Sequence, residues 1–513
     1  MRLLIFHGYL LSGTGSNVFN ARLAEALARA GHEVHLLCQE QEAERLPFVD
    51  AVGRFEGGGL TVQTVRRPRR LTVYLPPIGR LLPVFVRDHY THFEAKTFLE
   101  CSEAELERYL AANVAAVSKV AQQARVEGAL ANHLLLGPAI LARALPAAVP
   151  YAVKVHGSDL LYALQRDRER FLPWVQEGVE RAEAVLVGST YTASEVVATL
   201  PEGVGEKLRL FPPGVEVELF TPYRPRLGGR KAAVGELVRE LRRLPSGGGD
   251  FRVDGPAAAK ALAAVDPTAG PLIAFVGKLI PAKGVDIALL AHQELLGAFP
   301  TARLLVVGFG PLREPLERLV ALAGSGQLAD AAALARQSGL PALGAHLEQR
   351  AQEGAGGPFQ LLSRQLSFLG HLDHPQLAPL LSLCDAVVVP SRLPEAFGMI
   401  AAEAAAAGAL PVCAGHSGLQ EVAALLAAKA PPPVRPLLSF PLTEEEGPRQ
   451  LARRLIAWLY LPSPLRAAAR RALVEAVREN LSWERVAQRL VDLFAVGPAS
   501  LPQPLVDSGT AIR

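Results

Sequence analysis

Residues 1–38 read MRLLIFHGYLLSGTGSNVFNARLAEALARAGHEVHLLC. LLIFHG is a short apolar run with the character of a buried strand, and residues 12–15 supply turn chemistry. Over residues 16–30, Val18, Leu23, Ala26 and Leu27 recur at helical spacing, and Gly31 follows where a left-handed C-cap belongs. EVHLLC is the next strand. Strand, glycine turn, helix and strand make a βαβ unit, whose parallel strands need cover on both faces. Because the helical pattern starts directly after the glycine turn, the opening run reads as a first strand and not as a signal peptide.

The same rhythm continues outward. ALANHL is a strand with a helix after Pro138, YAVKVHG is another, and AEAVLVGS is a third with a helix starting near Thr192; KLRLFPPGV closes this half. Residues 223–270 break the rhythm with Gly/Pro-rich stretches around a charged helical piece, and read as a linker carrying an insertion. A second series then begins. PLIAFVG is followed by a helix over 285–298, and ARLLVVGFG by a helix from Pro311. LSFLGHL, DAVVVPS and ALPVCAG are further strands. The Ala/Gln/Gly-rich segment 323–360 reads as a second, exposed helical insertion. Helices are expected near 447–460, 463–480 and 483–496, with a frayed tail over 498–513. The expected domains are therefore 1–222, a linker 223–270, 271–482, a final helix 483–497 and the tail.

The chain has 513 residues, half of them hydrophobic, 20% charged, with a formal net charge of +3. That balance does not point to nucleic acid, whose binders usually need a strongly basic face, and no nucleic-acid partner is expected. Cys38, Cys101, Cys384 and Cys413 are widely spaced, with no C-x-x-C, and two of them end strand-like runs. All four are expected to be reduced and in or near the core, which favours an intracellular compartment. No run of ~18 apolar residues is present, so no transmembrane helix is expected.

Four constellations carry chemistry. In PSRLPEAFGMIAAEAAAAG (390–408), Glu395 lies in a loop ahead of a helix that begins near Phe397 and Gly398, runs from Met399 and stops at Gly408. Glu403 lies two turns inside it. A helix start offers free amides and a positive dipole end for a diphosphate, and a carboxylate accepts paired hydroxyls from a ribose or hexose. Taken alone, each Glu would be a solvated residue. In FVGKLIPAKGVD (275–286), Gly277 ends a strand, and Lys278 and Lys283 flank the following turn, where two cations would neutralise a diphosphate leaving group. In SGTGSN (12–17), Gly13 and Gly15 allow a close backbone approach, but Val18 stands where a dinucleotide fingerprint has its third glycine, so that signature is incomplete. In KVHGSDL (154–160), His156 ends a strand and Asp159 stands in the next turn; His133 ends another strand. Neither histidine belongs to a metal-spaced cluster, and no D-x-D pair is placed to carry a metal–diphosphate.

The 390–408 segment resembles the E-x7-E signature of retaining GT-B glycosyltransferases of family 4, and the resemblance extends over nearly the whole chain apart from the two insertions. It implies two facing Rossmann-like, doubly wound α/β domains with an interdomain cleft. It implies that Glu395 contacts the transferred sugar, that Glu403 binds the nucleotide ribose, and that amides around Phe397, Gly398 and Met399 hold sugar and phosphates. HSGLQEV (416–422) is similar to the family's later glycine-containing loop. Lys278 and Lys283 look like its basic pair, with Lys278 where many members carry Arg; a lysine keeps the charge but loses the bidentate fork. SGTGSN resembles the family's amino-terminal glycine loop, with Thr14-Gly15 in place of Gly-Gly, and His156 its histidine near the donor sugar. SWERVAQRLVDLF (482–494) is similar to the last helix, which crosses back to the first domain, with Trp483 packed between domains or in a core. RRPRR (66–70) and VFVRDHYTHFEAKTF (84–98), including Tyr90, mix basic and aromatic residues in the acceptor-side half, where His133 and Asp159 also lie; they suit an anionic or lipid-linked acceptor or a membrane surface, though a solvated loop is the commoner use of such residues.

The expected function is metal- and cofactor-independent transfer of a hexose from a UDP-, GDP- or ADP-sugar to a glycan, lipid-linked or small-molecule acceptor, in the cytoplasm or at the inner membrane face. The alternatives are a GT-B nucleotide-sugar epimerase, an NAD(P)-binding oxidoreductase and a non-catalytic sugar- or nucleotide-binding protein.

Overall fold

The structure, a computed structural model, describes every residue except 14, 87–89, 91, 225–227, 247–252, 355–356, 444 and 506–513. Thr14, part of the 84–98 segment and the last half of the tail thus lie outside the described residues. The chain divides into two compact units, Met1–Gly214 with Trp483–Arg513, and Val215–Ser482.

In the first unit, β1 (Arg2–Phe6), β2 (Glu33–Leu37), β3 (Ala51–Glu56), β4 (Gly59–Thr64) and β5 (Leu71–Leu75) come first. A separate parallel pair, β6 (Leu81–Val84) and β7 (Glu94–Thr97), follows. Then come β8 (Gly128–Asn132), β9 (Tyr151–Lys154), β10 (Ala184–Val187) and β11 (Leu208–Leu210). The large sheet runs β11-β10-β9-β8-β1-β2-β5-β3-β4, with parallel pairings except in the β3–β4 hairpin. Side chains of a strand alternate between faces, so Leu4 and Phe6 feed one apolar layer while Leu3 and Ile5 feed the other. Both layers are apolar, which is why the strand reads as a continuous hydrophobic run. The helix Trp483–Ala495 belongs to this unit. Its Trp483 is buried against Phe19, 5.5 Å between ring centroids, so it serves as a core residue of the first unit.

The second unit carries β12 (Leu272–Val276), β13 (Arg303–Val307), β14 (Leu366–Gly370), β15 (Ala386–Val389), β16 (Leu410–Ala414) and β17 (Ser439–Phe440). Its sheet is wholly parallel in the order β14-β13-β12-β15-β16-β17. Counted from β12, this is 3-2-1-4-5-6, the doubly wound order of dinucleotide-binding domains. The fold class is α/β, with two Rossmann-like units of the GT-B kind. The helices Gly229–Leu241 and Gly255–Ala263 stand in the stretch expected as a linker. They bury Val234, Leu237, Leu241, Ala258 and Leu262 in the second unit's core. Segment 323–360 is helical as expected, but not merely exposed. The helices Leu328–Gln337 and Pro341–Gln352 bury Leu328, Ala331, Ala335, Leu343 and Leu347. Much of that face is alanine, which gives a weak apolar signal. All four cysteines are free and buried.

Candidate functional site

Open parallel sheets bind ligands beyond the carboxyl ends of their strands, at the point where the strand order reverses. In the second unit that point lies between β12 and β15. The loop after β12 carries Lys278 and Lys283; the loop after β15 carries Glu395. The structure joins two of these three, with Lys283 Nζ 2.7 Å from Glu395 Oε1. Lys278 stands exposed, its ammonium 5.9 Å from the Phe309 ring centroid.

A closed circuit of hydrogen bonds holds Glu395. Its amide donates to Ser417 Oγ at 2.9 Å, and Ser417 Oγ lies 3.0 Å from His416 Nδ1. His416 Nε2 is 2.8 Å from the Ser391 carbonyl, which only accepts, so Nε2 carries the proton and Nδ1 accepts from Ser417. Ser391 Oγ completes the circuit by donating to Glu395 Oε1. Gly418 N also donates to the Glu395 carbonyl at 2.9 Å. A second clamp fixes this loop to the loop before it. Arg392 grips the buried Asp286 through two bonds of 2.7 and 2.6 Å, and its amide donates to the Ala282 carbonyl at 2.8 Å. Gly284 lets the two loops touch: its φ is +68°, and a Cβ there would collide with the Pro390 carbonyl.

The helix Met399–Ala406 begins directly beyond, capped by Gly398. Its first amides have no intrahelical acceptor, and Phe397, Gly398 and Met399 line that start. Glu403, expected two turns inside, is the fifth residue, a little over one turn in. It is buried, with Oε1 3.5 Å from His374 Nε2, while His374 Nδ1 lies 3.2 Å from Glu216. Burial pushes the Glu403 carboxyl above the usual carboxylate range, with His374 opposing and Glu216 adding to the rise. The folded state therefore holds this proton at a pH where the unfolded chain has lost it, and stability falls as pH rises from the usual carboxylate range through the raised value. Glu403→Gln is expected to flatten that slope in melting temperature against pH; an unchanged slope contradicts the assignment.

In the first unit the order reverses between β1 and β8, and a buried polar network fills that point. His156 Nε2 is 2.8 Å from Asn132 Oδ1, and Asn132 Nδ2 donates to Asn20 Oδ1. Asn20 Nδ2 meets His7 Nδ1 at 3.0 Å, and His7 Nε2 meets Asn17 Oδ1 at 2.9 Å. Asn17 Nδ2 then donates to the Ser12 carbonyl at 2.6 Å, at the edge of the glycine loop. Amide geometry orders these protons: His156 donates from Nε2, which leaves its Nδ1 as an acceptor. Burial lowers His7 to about 3 and His133 to about 3, and holds His156 well below the usual histidine range, so all three rings are neutral at pH 7. His133 packs 4.8 Å from His156 between ring centroids, and neither of its nitrogens finds a hydrogen-bond partner. Asp159, expected on the acceptor side, is fully buried, and its oxygens accept from the Leu134 and Leu160 amides at 2.7 and 3.2 Å. That geometry makes it a brace for the loops carrying His133 and His156. Gly15 opens the helix Gly15–Arg29, and a Cβ there would meet nothing within 4 Å. Tyr90 is half-buried.

Sequence reasoning missed Ser391, Arg392, Asp286, His416 and Ser417 around Glu395, His374 and Glu216 around Glu403, and His7, Asn17, Asn20 and Asn132 around His156. For His7 a signal was present: it follows β1 as His133 follows β8. Among the described residues, no three His, Cys, Asp or Glu are grouped to hold a metal ion, and no helix is long and apolar enough to cross a membrane.

Comparison with known proteins gives this arrangement its class. Residues 14–214 match the family described as glycosyl transferase 4-like domain, and residues 270–432 match that described as glycosyl transferases group 1. Each match is to a family of glycosyltransferases, and between them the two take in more than two thirds of the chain. A D-inositol 3-phosphate glycosyltransferase of Segniliparus rotundus is 31% identical over 243 residues, 47% of this chain and 43% of the relative. A GDP-mannose-dependent monoacylated alpha-(1-6)-phosphatidylinositol monomannoside mannosyltransferase of Corynebacterium glutamicum is 26% identical over 294 residues, 56% of each. The chain thus spans about half the length of the curated relatives it matches. Among solved structures, Anabaena HepE in complex with UDP and glucose is similar over 97% of this chain and 100% of its own, with a TM-score of 0.55 and 14% identity. The catalytic domain of starch synthase IV from Arabidopsis thaliana, bound to ADP and acarbose, is similar over 97% and 99%, with a TM-score of 0.57 and 14% identity. At such identities these likenesses speak for the fold.

Proposed function

We propose that the protein is a retaining glycosyltransferase that moves a hexose from a nucleotide diphosphate sugar to a hydroxyl acceptor without a metal ion. The observation that carries this reading is the Lys283–Glu395 pair at the strand-order reversal, directly before a helix start. Glu395 would accept hydroxyls of the transferred sugar. The diphosphate would lie against the amides of Phe397, Gly398 and Met399, with Lys278, Lys283 and Gly277 beside it, and Glu403 would take the ribose hydroxyls. As the bond from the sugar's anomeric carbon to the phosphate oxygen breaks, negative charge grows on the leaving diphosphate. The lysines and the helix-start amides oppose that charge and lower the barrier. The acceptor oxygen bonds to the same face of the sugar, and its proton passes to a leaving phosphate oxygen. His156, with His133 beside it, would line the sugar and acceptor side from the first unit, and Gly15 the phosphate side. The reaction is proposed to run in the cytoplasm, on an acceptor that is lipid-linked or soluble.

A melting-temperature screen with UDP-, GDP- and ADP-sugars tests this, because a ligand that prefers the folded state raises its stability. One donor class is expected to raise it and then to release nucleoside diphosphate when an acceptor is supplied. The absence of both effects with all three classes would overturn the proposal.

A further inference from the structure

At the opposite, amino-terminal edge of the second unit's sheet, Arg230, Thr268, Pro271, Asp385, Leu459 and Arg466 line a cavity of about 450 Å³. The strands β12 and β15 separate it from Lys283 and Glu395 by the length of the sheet, ~16 Å for a five-residue strand. The cavity lies in the size range of small-ligand sites, ~300–1,000 Å³.

Its charges do not balance. Asp385 already accepts from the Leu272 amide at 3.1 Å and from Arg230 at 3.3 Å on one oxygen, and from Arg470 at 3.0 Å on the other. Arg466 stands one turn before Arg470 on the helix Ser463–Leu481 and has no ion-pair partner among the described residues. The Nε atoms of Arg466 and Arg470 are buried without an acceptor. Arg230 and Arg466 therefore line the cavity with a single carboxylate, already engaged by Arg230 and Arg470, and the buried Nε of Arg466 is left unsatisfied among the described residues, a costly arrangement unless a ligand meets it. The guanidinium fork matches the oxygens of a phosphate in pairs, and the walls given by Pro271 and Leu459 suit an apolar remainder.

We propose that this cavity binds the phosphoryl group of a small phosphorylated solute, with Arg466 as its main anchor. The site is independent of the transfer reading and would stand if that reading fell.

Inorganic phosphate is the probe, used on the full chain with ionic strength held constant by chloride. Because Lys278 and Lys283 offer phosphate a second place, the titration uses the Lys278→Ala/Lys283→Ala variant. Phosphate is expected to raise the melting temperature and to broaden its own ³¹P resonance there, whereas chloride does neither. Adding Arg466→Gln is expected to weaken phosphate binding at least about tenfold, the loss of one charged contact worth ~1.5 kcal/mol or more. Arg466→Lys, which keeps the charge but not the fork, is expected to fall between. Arg466 makes no side-chain hydrogen bond among the described residues, so its replacement is expected to leave the fold intact by circular dichroism. Equal phosphate binding with and without Arg466, or no phosphate-specific effect at all, would overturn the proposal.

Discussion

Lys283→Ala is expected to cut kcat/KM for sugar transfer by ~10²–10³, the usual loss when one preorganised charge-stabilising group is removed. Lys283 is part-exposed, and its contact is the ion pair with Glu395. The fold loses little with it, since an exposed or part-exposed pair contributes ~0–1 kcal/mol. The loss should therefore appear in turnover while melting temperature and circular dichroism stay near wild type. Lys283→Arg keeps the charge and is expected to recover part of the rate. The partner variant Glu395→Ala removes the sugar-facing carboxylate and should lose transfer to a similar degree. Wild-type turnover in the purified Lys283→Ala protein would remove this residue from the mechanism.

Arg392→Met is expected to destabilise the protein by ~3–5 kcal/mol, because it strands the buried Asp286 carboxylate. Asp286 is fully buried on the helix Val285–Ala298, and Arg392 supplies both of its side-chain ion-pair bonds. The double change Arg392→Met/Asp286→Leu removes both charges together and should restore most of that stability. A double-mutant cycle in denaturant isolates the coupling. Transfer should not recover with stability, because Arg392 also ties the Glu395 loop to the Pro281 carbonyl at 3.0 Å. Equal instability of the single and double variants would mean that the loss comes from Arg392's other contacts and not from a stranded Asp286 charge.

The parts of this molecule that were legible in its sequence are those with a local signature. The βαβ rhythm exposed β1, β2 and every strand of the second unit except β17, which has only two residues. The helices Val285–Ala298 and Gly447–Tyr460 stand where the sequence leads one to expect them. The strands β3 to β5 carry no βαβ signature: β4, at the edge of the sheet, alternates exposed and half-exposed residues and offers little apolar pattern, and β3 joins it in a hairpin without a crossover helix. The helix Glu103–Ala124 was also not read, although Ser102 and Glu105 form a capping box that announces its start. At the site, Glu395, Glu403 and the two lysines stand in one-dimensional motifs. Their partners do not: Asp286 and Arg392 are 106 positions apart. His156 and His7 are brought together only through Asn132 and Asn20. Spacing along a chain carries no trace of pairs that the crossover connections assemble.

The course of the chain sets an order of assembly. The second unit is one continuous stretch, but the first takes its last helix from residues 483–495. That helix buries Trp483, Val486, Leu490 and Leu493 in a core layer shared with β1, and Phe494 lies over Gly128 in β8. During synthesis the segment emerging first must therefore wait, with one apolar layer uncovered, while the interior unit is made and folds ahead of it. A chain truncated after residue 482 would hold every element of the carboxyl-side unit beside an amino-terminal one with that layer bare to proteases.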